Sequence, residues 1–232
     1  MYLANNTRPD IAFAVNLLAR FSADPTKRHW DGIKHIFRYL RGIIDLGLFF
    51  PNNSRSQLVG YANTGYMSDP HFGRSQTGYL FTYYDTAISW KSTKHTMAAT
   101  SSNHAELLAI HEASRECTWL RSVRSVIQHI RESCGLSSIS DNPTVLFEDN
   151  SACIKQLKEG YIKEDRTKHI LPKFFHTHEL KENGDIDVQQ VRSCDNLADI
   201  LTKSLPTLTF GKFRNNIIMQ RLKSLLHQNV KI

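Results

Sequence analysis

The stretch "QLVGYANTGYMSDP", residues 57–70, begins as a buried β-strand and turns polar at Asn63. Two further strand-like runs follow in close order, "TGYLFTYY" at 77–84 and "AISWKS" at 87–92, with short turn-forming joins. Three such runs in succession predict an antiparallel meander. Asn63 therefore lies near the end of the first strand of a predicted sheet.

Downstream of the meander, helices and strands alternate. The stretch "TSSNHAELLAIHEASRECTWLRSVRSVIQHI" predicts a long helix, either continuous or kinked and split, with Ser102 or Asn103 as its N-cap. "PTVLFED" at 143–149 predicts a strand that leads into the helix "NSACIKQLKEG", which ends at Gly160. A helix, a strand and a helix are then predicted by "KFFHTHELKENG", "DIDVQQV" and "DNLADILTKSL". This order predicts an α/β fold with its functional site at strand-to-helix junctions.

The remaining segments flank this pattern. Residues 1–50 predict two short helices, and a polar turn near residues 51–56 marks a boundary. We therefore expect an N-terminal helical segment at 1–50, an α/β domain at 57–206 and a C-terminal helical tail at 207–232. On the second N-terminal helix, apolar residues recur at helical spacing and predict a packed face: Trp30, Ile33, Phe37 and Leu40.

Composition narrows the class of protein. The 232 residues carry 29 Lys and Arg against 22 Asp and Glu, so the net charge of +7 favours a polyanionic partner such as nucleic acid. The four cysteines are scattered and form no C-x-x-C pair, which predicts reduced thiols. The sequence has no secretory hydrophobic region and no apolar run long enough to span a bilayer. We therefore expect an intracellular protein, cytoplasmic or nuclear, with no membrane partner.

Three acids fall at the ends of predicted elements: Glu106 in the first turn of the long helix, Asp149 after the fourth strand and Asp195 at the start of a late helix. With Asn63, they could converge at one edge of the sheet. Mg²⁺ prefers hard oxygen ligands, and two ions held by carboxylates can bind both the attacking and the leaving oxygen of a phosphodiester. The layout therefore predicts a metal site.

Several motifs, in order and spacing, resemble the ribonuclease H domain of copia-type LTR retrotransposon Pol polyproteins, especially those of plants. The motifs are "GYANTGYMSDP", "RSQTGYLF", "AISWKS", "TSSNHAELLAIHEASRECTWLR", "LFEDNSACI", "RTKHI" and "DNLADILTKSLP". The segments "YLANNTRPDIAFAVNLLARF" and "HWDGIKHIFRYLRG" are similar to the connection that follows the reverse transcriptase in these polyproteins. The resemblance implies a ribonuclease H-like mixed five-stranded sheet flanked by helices, originally fused to a reverse transcriptase.

The resemblance also implies a function and a site. It implies an endoribonuclease that cuts the RNA strand of RNA/DNA hybrids with two Mg²⁺ or Mn²⁺ ions. The metal-binding set matches Glu106, Asp149, Asp195 and, at the first-strand position, Asn63. In "RTKHI", three residues are candidates for contacts with the phosphate backbone: Arg166, Lys168 and His169.

Asn63 replaces the aspartate that the family carries, so the site has three negative charges instead of four. We expect weak or single-ion Mg²⁺ binding and impaired or absent hydrolysis. Gly65 stands where many members of the family carry another acid, and Asp69 is interpreted as a turn residue. The repeated "RSVRSV" at 121–126 is a second departure, which indicates either a decaying copy of the element or a longer surface turn.

Other interpretations remain beside the nuclease. A non-catalytic remnant that binds hybrid duplex or a protein partner would keep the basic surface without hydrolysis. "HAE" at 104–106 matches the H-x-E pattern of zinc deaminases, but the P-C-x-x-C pattern that such a site needs is missing. "RYLR" at 38–41 matches the R-x-L-R pattern used to label secreted pathogen effectors, although these four residues fit an amphipathic helix with solvated arginines.

Overall fold

Five strands form one mixed sheet in this computed structural model, which describes residues 1–51, 57–69, 73–97, 99–136, 142–162, 168–217 and 219–222. The strands span β2 (Leu58–Gly65), β3 (Gln76–Tyr83), β4 (Thr86–Lys94), β5 (Thr144–Glu148) and β6 (Ile186–Gln190). Their order in the sheet is β4-β3-β2-β5-β6. β2, β3 and β4 are antiparallel, whereas β5 runs parallel to β2 and β6 runs parallel to β5. The predicted mixed five-stranded sheet flanked by helices is confirmed.

The centre of the sheet is packed closely enough to require glycine. In β2, Gly60 lies opposite Phe81 of β3. A Cβ atom at Gly60 would lie 2.6 Å from the Phe81 ring and 2.7 Å from Leu146 of β5. Any larger residue would therefore push the central strands away from their neighbours.

Seven helices surround the sheet in the described ranges. They are α1 (Tyr2–Asn6), α2 (Ala12–Ala19), α3 (Lys27–Gly42), α4 (Ser102–Ser133), α5 (Ser151–Glu159), α6 (Leu171–Glu182) and α7 (Thr207–Asn216). α4 is a single helix of 32 residues, so of the two predicted alternatives the continuous helix is correct and the split helix is wrong. The "RSVRSV" repeat at 121–126 lies inside α4, so the prediction that it forms a longer surface turn is wrong. Gly160 ends α5 in the left-handed conformation (φ 69°), as the sequence predicts.

The first half of α4 builds the main core. Its residues Leu107, Ile110 and Cys117 are buried against Leu146 of β5 and Phe81 of β3. The second half of the helix extends beyond the sheet, and its apolar side chains there are largely exposed. The anchored half therefore fixes the position of the first turn of α4 relative to the sheet.

A second core lies on the opposite face of the sheet and joins all three predicted segments. Ile11 and Ile43 of the N-terminal segment pack in one cluster with Leu80 of β3 and with Phe213 and Ile217 from the C-terminal tail. A two-stranded sheet also joins the N-terminal segment to the C-terminal tail, because β1 (Leu46–Leu48) pairs with β7 (Met219–Arg221). The described part of the tail is therefore a helix followed by a strand; residues 223–232 lie outside the described residues.

The packed face of α3 differs from the prediction. Ile36, Tyr39 and Leu40 pack against the second core, whereas Trp30 and Phe37 are 56% and 66% exposed. Helical spacing alone predicts an apolar stripe without identifying which of two neighbouring stripes is covered. Arg38 and Arg41 of the R-x-L-R pattern are exposed on this helix, as the sequence predicts.

A buried ion pair lies inside the N-terminal segment and links its first turns to α3. The guanidinium group of Arg8 lies 2.6 Å from the Asp10 carboxylate, which also accepts a hydrogen bond from the Tyr39 hydroxyl at 2.7 Å. Burial, followed by the nearby charge of Asp10, raises the pKa of Tyr39 to about 12. Among the described helices, none combines the length and the apolar character needed to cross a membrane.

Candidate metal-binding site

Elements from four parts of the chain meet at one edge of the sheet. Asn63 is buried near the end of β2, and Asp149 directly follows β5. Glu106 is buried in the first turns of α4, whose N-terminus is capped by the Ser101 hydroxyl. β2 and β5 are parallel neighbours, so Asn63 and Asp149 come from adjacent strands that end on the same side.

Asp199 is the acid that meets Asn63. The Asn63 Nδ2 donates a hydrogen bond to Oδ1 of Asp199, and Nζ of Lys203 lies 2.7 Å from the same oxygen. Burial raises the pKa of Asp199, whereas the Lys203 ammonium opposes that shift and the charge of Asp149 adds to it. Asp199 therefore lies close enough to Asp149 for the two negative charges to repel each other.

Asn196 positions Asp199 through two hydrogen bonds. Its Nδ2 donates to the backbone carbonyl of Ala62 in β2 at 2.8 Å, and its Oδ1 accepts the Ala198 N–H at 3.2 Å. Asn196 therefore caps the short 3₁₀ helix Leu197–Leu201 and fastens it to the strand that carries Asn63.

The structure does not bring Asp195 into this group, which corrects its expected placement. Asp195 lies in a separate 3₁₀ turn, Ser193–Asp195, and pairs with Arg192 at 2.6 Å and Lys212 at 2.9 Å. Hydrogen bonds from Lys212 and Arg192 lower the pKa of Asp195 to about 2. The physical reason is the backbone: the predicted late helix is two 3₁₀ turns, so the acid aligned with β2 is four residues further on.

Glu148 is a site residue that the sequence analysis missed. One carboxylate oxygen from each of Glu106, Glu148 and Asp149 lies within 4.8 Å of the other two. Burial raises the pKa of Glu106 and of Glu148 well above their ordinary values. The charge of Asp149 adds to the shift of Glu106, and the charge of Glu106 adds to that of Glu148. The alternation of side chains along the strand "TVLFE" could have identified Glu148, because it places Glu148 on the same face as the buried Leu146.

The donor set fits a divalent cation. Oε2 of Glu106 and Oε2 of Glu148 are buried without a hydrogen-bond partner. Buried carboxylate oxygens almost always have a partner, and an unpaired one is costly. Oxygen ligands of this kind are those that Mg²⁺ and Mn²⁺ prefer. The residues that would hold a cation here are Glu106, Asp149, Asp199 and Glu148.

The other residues singled out in the sequence are not members of this carboxylate group. Lys168 and His169 are exposed in the turn before α6, where they are accessible to a ligand; Arg166 lies outside the described residues. His104, which the deaminase pattern would make a zinc ligand, is buried with its Nδ1 2.5 Å from the Thr100 hydroxyl. Gly65 cannot hold an acid without a shift, because a Cβ there would lie 2.5 Å from the carbonyl oxygen of Thr202.

No protein-family model matches the chain. Among curated proteins, the retrovirus-related Pol polyprotein from transposon TNT 1-94 of Nicotiana tabacum is 35% identical over 211 residues, which cover 90% of this chain. The chain belongs to the retrovirus-related Pol polyproteins of plant transposons. This Pol-related chain spans 15% of the length of the tobacco polyprotein.

Two further comparisons describe parts of this Pol-related chain. It is 40% identical over 120 residues to the protein named secreted RxLR effector protein 161 of Plasmopara viticola, which covers 52% of this chain and 84% of that protein. Among solved structures, it is similar to an N-terminal ribonuclease H domain from Mycobacterium tuberculosis, with 13% identity and a TM-score of 0.43. That match covers 69% of this chain and 98% of the other.

Proposed function

We propose that the chain is the ribonuclease H domain of a transposon Pol polyprotein and that Asn63 impairs its hydrolysis of RNA in RNA/DNA hybrids. The observation that carries the proposal is the hydrogen bond from Asn63 to Asp199 beside Glu106 and Asp149. An ionised carboxylate only accepts hydrogen bonds, so the amide must donate to it. The amide N–H thus occupies an oxygen that a cation would need.

The four residues have separate roles in this proposal. Glu106, Asp149 and Asp199 hold divalent cations, while Asn63 contributes at most a neutral oxygen. When bound, Mg²⁺ or Mn²⁺ would activate a water and stabilise the leaving oxygen of a phosphodiester. Lys203 reduces the negative charge further, since its ammonium group lies 2.7 Å from Asp199. With one carboxylate replaced and another paired, we infer that the second cation is the one bound poorly.

The substrate class is inferred from charge as well as from the family. The net charge of +7 favours a polyanion, and exposed Lys168 and His169 extend from a turn that lies next to the undescribed "EDRT" segment. Backbone contacts of this kind position a duplex without reading its sequence. We therefore propose binding to RNA/DNA hybrids without base preference, with an affinity that falls as salt rises.

Cleavage of a hybrid in which the RNA strand is end-labelled tests the proposal. The purified 232-residue chain and its Asn63→Asp variant are compared at several concentrations of Mg²⁺ and Mn²⁺, with duplex RNA and duplex DNA as controls. The expected result is cleavage of RNA in the hybrid alone, faster in the variant than in the parent. Asn63→Asp with Glu106→Gln measures the background from contaminating nucleases. No cleavage above that background in either protein contradicts the proposal.

A second candidate function is hybrid binding without catalysis. The same hydrogen bond favours it, because the Asn63 amide donates to the Asp199 carboxylate while the Lys203 ammonium offsets its charge, so the site is stabilised without a metal. A binding remnant would retain the affinity for the hybrid, measured by fluorescence anisotropy, and Asn63→Asp would add no cleavage. The two candidates therefore predict the same binding curve and different cleavage in the variant.

A further inference from the structure

We propose that Glu148, together with Glu106 and Asp149, forms a binding site for one hard divalent cation that needs neither Asn63 nor Asp199. The inference rests on the proposed function and deepens it, because it names a further acid that would hold one of the cations. It concerns cation binding itself, so the test is independent of hybrid cleavage.

The position of Glu148 follows from the alternation of β5. Thr144, Leu146 and Glu148 are the buried residues of that strand, and Leu146 packs in the core that α4 covers. Glu148 therefore points to the same side of the sheet as Glu106 of α4. On β2, Asn63 shares a face with Tyr61, which packs against the second core on the opposite side. The two positions are thus separated by the sheet.

The two glutamates are aimed at a common point without partners for their outer oxygens. Oε1 of Glu148 accepts the backbone N–H groups of Asp149 and Asn150, each at 3.1 Å, which fixes the orientation of the carboxyl group. Oε2 of Glu148 and Oε2 of Glu106 are buried and unpaired. Glu148 is fully buried and Glu106 is 7% exposed, so solvent does not satisfy these oxygens.

Carboxylate oxygens of Glu106, Glu148 and Asp149 lie within 4.8 Å of one another, so the negative charges of the buried Glu106 and Glu148 repel each other and that of Asp149. The charged groups that face them are Asp199, which adds repulsion, and Lys203, whose ammonium is bound to Asp199. A proton shared by Glu106 and Glu148 is one solution, and a divalent cation is the other. A shared proton pairs the two Oε2 atoms with each other, whereas a divalent cation also binds the Asp149 carboxylate and offsets the negative charge of all three acids.

The chemistry of the neighbours selects a hard cation. Cys153 lies close enough to the cluster for the charges of Glu148 and Glu106 to act on its thiol. Burial raises the pKa of the Cys153 thiol well above its ordinary value, so it keeps its proton and does not offer a thiolate. Three carboxylates without thiolate or imidazole favour Mg²⁺, Mn²⁺ or Ca²⁺ over zinc.

Manganese titration of the full 232-residue chain tests this site, with free Mn²⁺ followed by electron paramagnetic resonance. The parent is compared with Glu148→Gln and with Glu159→Gln, which removes the same charge from an exposed residue at the end of α5. Glu148→Gln is expected to weaken the tightest Mn²⁺ site roughly tenfold or more. Glu159→Gln should leave that affinity unchanged. Equal affinity in Glu148→Gln and Glu159→Gln overturns the proposal.

A second measurement covers the case in which Glu148→Gln perturbs the fold. Crystals of the parent chain soaked in Mn²⁺ should give an anomalous peak between the carboxylates of Glu106, Glu148 and Asp149. A peak that Asp149 and Asp199 share, with Glu148 beyond coordination distance, overturns the proposal. If Asn63→Asp does not cleave the hybrid, the proposed function is contradicted. The Mn²⁺ affinity of Glu148→Gln is measured without the hybrid, so it still tests the cation site by itself.

Discussion

The side chain of Asn63 donates a hydrogen bond to the carboxylate of Asp199, which lies 136 residues away in the chain. Asn196, three residues before Asp199, binds the backbone of the same strand at Ala62. This double attachment means that the 3₁₀ helix and β2 move as one unit. A change at Asn63 is therefore transmitted to Asp199 directly.

The first prediction is that Asn63→Asp raises cleavage of an RNA/DNA hybrid by on the order of 100-fold, because a charged group is restored where the reacting phosphate needs cations. Initial rates with labelled hybrid under single-turnover conditions measure the effect. Hybrid affinity should barely change, since it depends on contacts with phosphate. Adding Asp149→Asn to Asn63→Asp should abolish the gain; a double variant as active as Asn63→Asp contradicts the role of Asp149.

The second prediction separates the two acids of "DNLAD". In the Asn63→Asp background, Asp199→Asn should lower cleavage by on the order of 100-fold, because Asp199 lies beside residue 63. Asp195→Asn should change the rate by less than about twofold, since it disrupts only exposed ion pairs with Arg192 and Lys212. The ratio of the two rates is the measurement. If Asp195→Asn lowers the cleavage rate more than Asp199→Asn does, Asp195 is the metal-binding acid, as the sequence analysis expected.

The third prediction concerns Gly65. Gly65→Asp should lower the free energy of unfolding by about 1–3 kcal/mol, because its Cβ would lie 2.5 Å from the Thr202 carbonyl oxygen. It should not restore cleavage, even though it adds an acid near the site. Urea unfolding measures the first effect, with Gly47→Ala as the matched strand control, since no atom lies within 4 Å of a Cβ at that position. Equal stability of the two variants would contradict the close approach of Thr202.

The fourth prediction is a dependence of stability on pH that comes from Glu148. Burial raises its pKa well above 4.5, so the folded state binds more protons than the unfolded state between 4.5 and the folded pKa. Its contribution to stability is therefore present below pH 4.5 and is lost as pH rises through the folded pKa. Burial lowers the pKa of His95 and of His111 to about 4. Between pH 4 and 6.5 the unfolded state therefore binds more protons at these histidines, and their contribution to stability rises with pH.

Comparison of the parent with Glu148→Gln cancels the histidine contributions. With EDTA present, the variant should gain stability relative to the parent as pH rises from 5 to 8, measured by urea unfolding at each pH. Saturating Mn²⁺ should stabilise the parent at pH 8 more than the variant. A constant difference in unfolding free energy across this range contradicts the raised pKa of Glu148.

The sheet was predictable because its strands carry local signals. Strand-like runs separated by turn residues predicted the antiparallel meander of β2, β3 and β4, and the family resemblance implied the mixed five-stranded sheet. Asn63, Glu106 and Asp149 lie near the same sheet edge for that reason, since each is within about one helical turn of the end of its element. Their roles in metal binding remain predictions.

Asp199 and Glu148 were not predictable in the same way. "DNLAD" offers two acids, and choosing between them requires knowing that Asn196 caps a 3₁₀ helix at Leu197. Glu148 precedes the acid that the motif emphasises, and only the face of β5 shows that it is buried. The exposed Trp30 and Phe37 illustrate the same limit, because periodicity describes a helix and not the surface that it meets.

The pairing of β1 with β7 has a consequence for how such a domain can be released from a longer polypeptide. Leu46 pairs with Arg221 and Leu48 with Met219, so a strand before the central sheet and one after it are held together by backbone hydrogen bonds. A protease cut between residues 48 and 58 would separate Ile11 and Ile43 in sequence from the cluster that contains Leu80 and Leu201. A cut between residues 206 and 213 would do the same to Phe213 and Ile217. The intact excisable unit thus extends at least from residue 46 to residue 221, and the five-stranded sheet is only its middle portion.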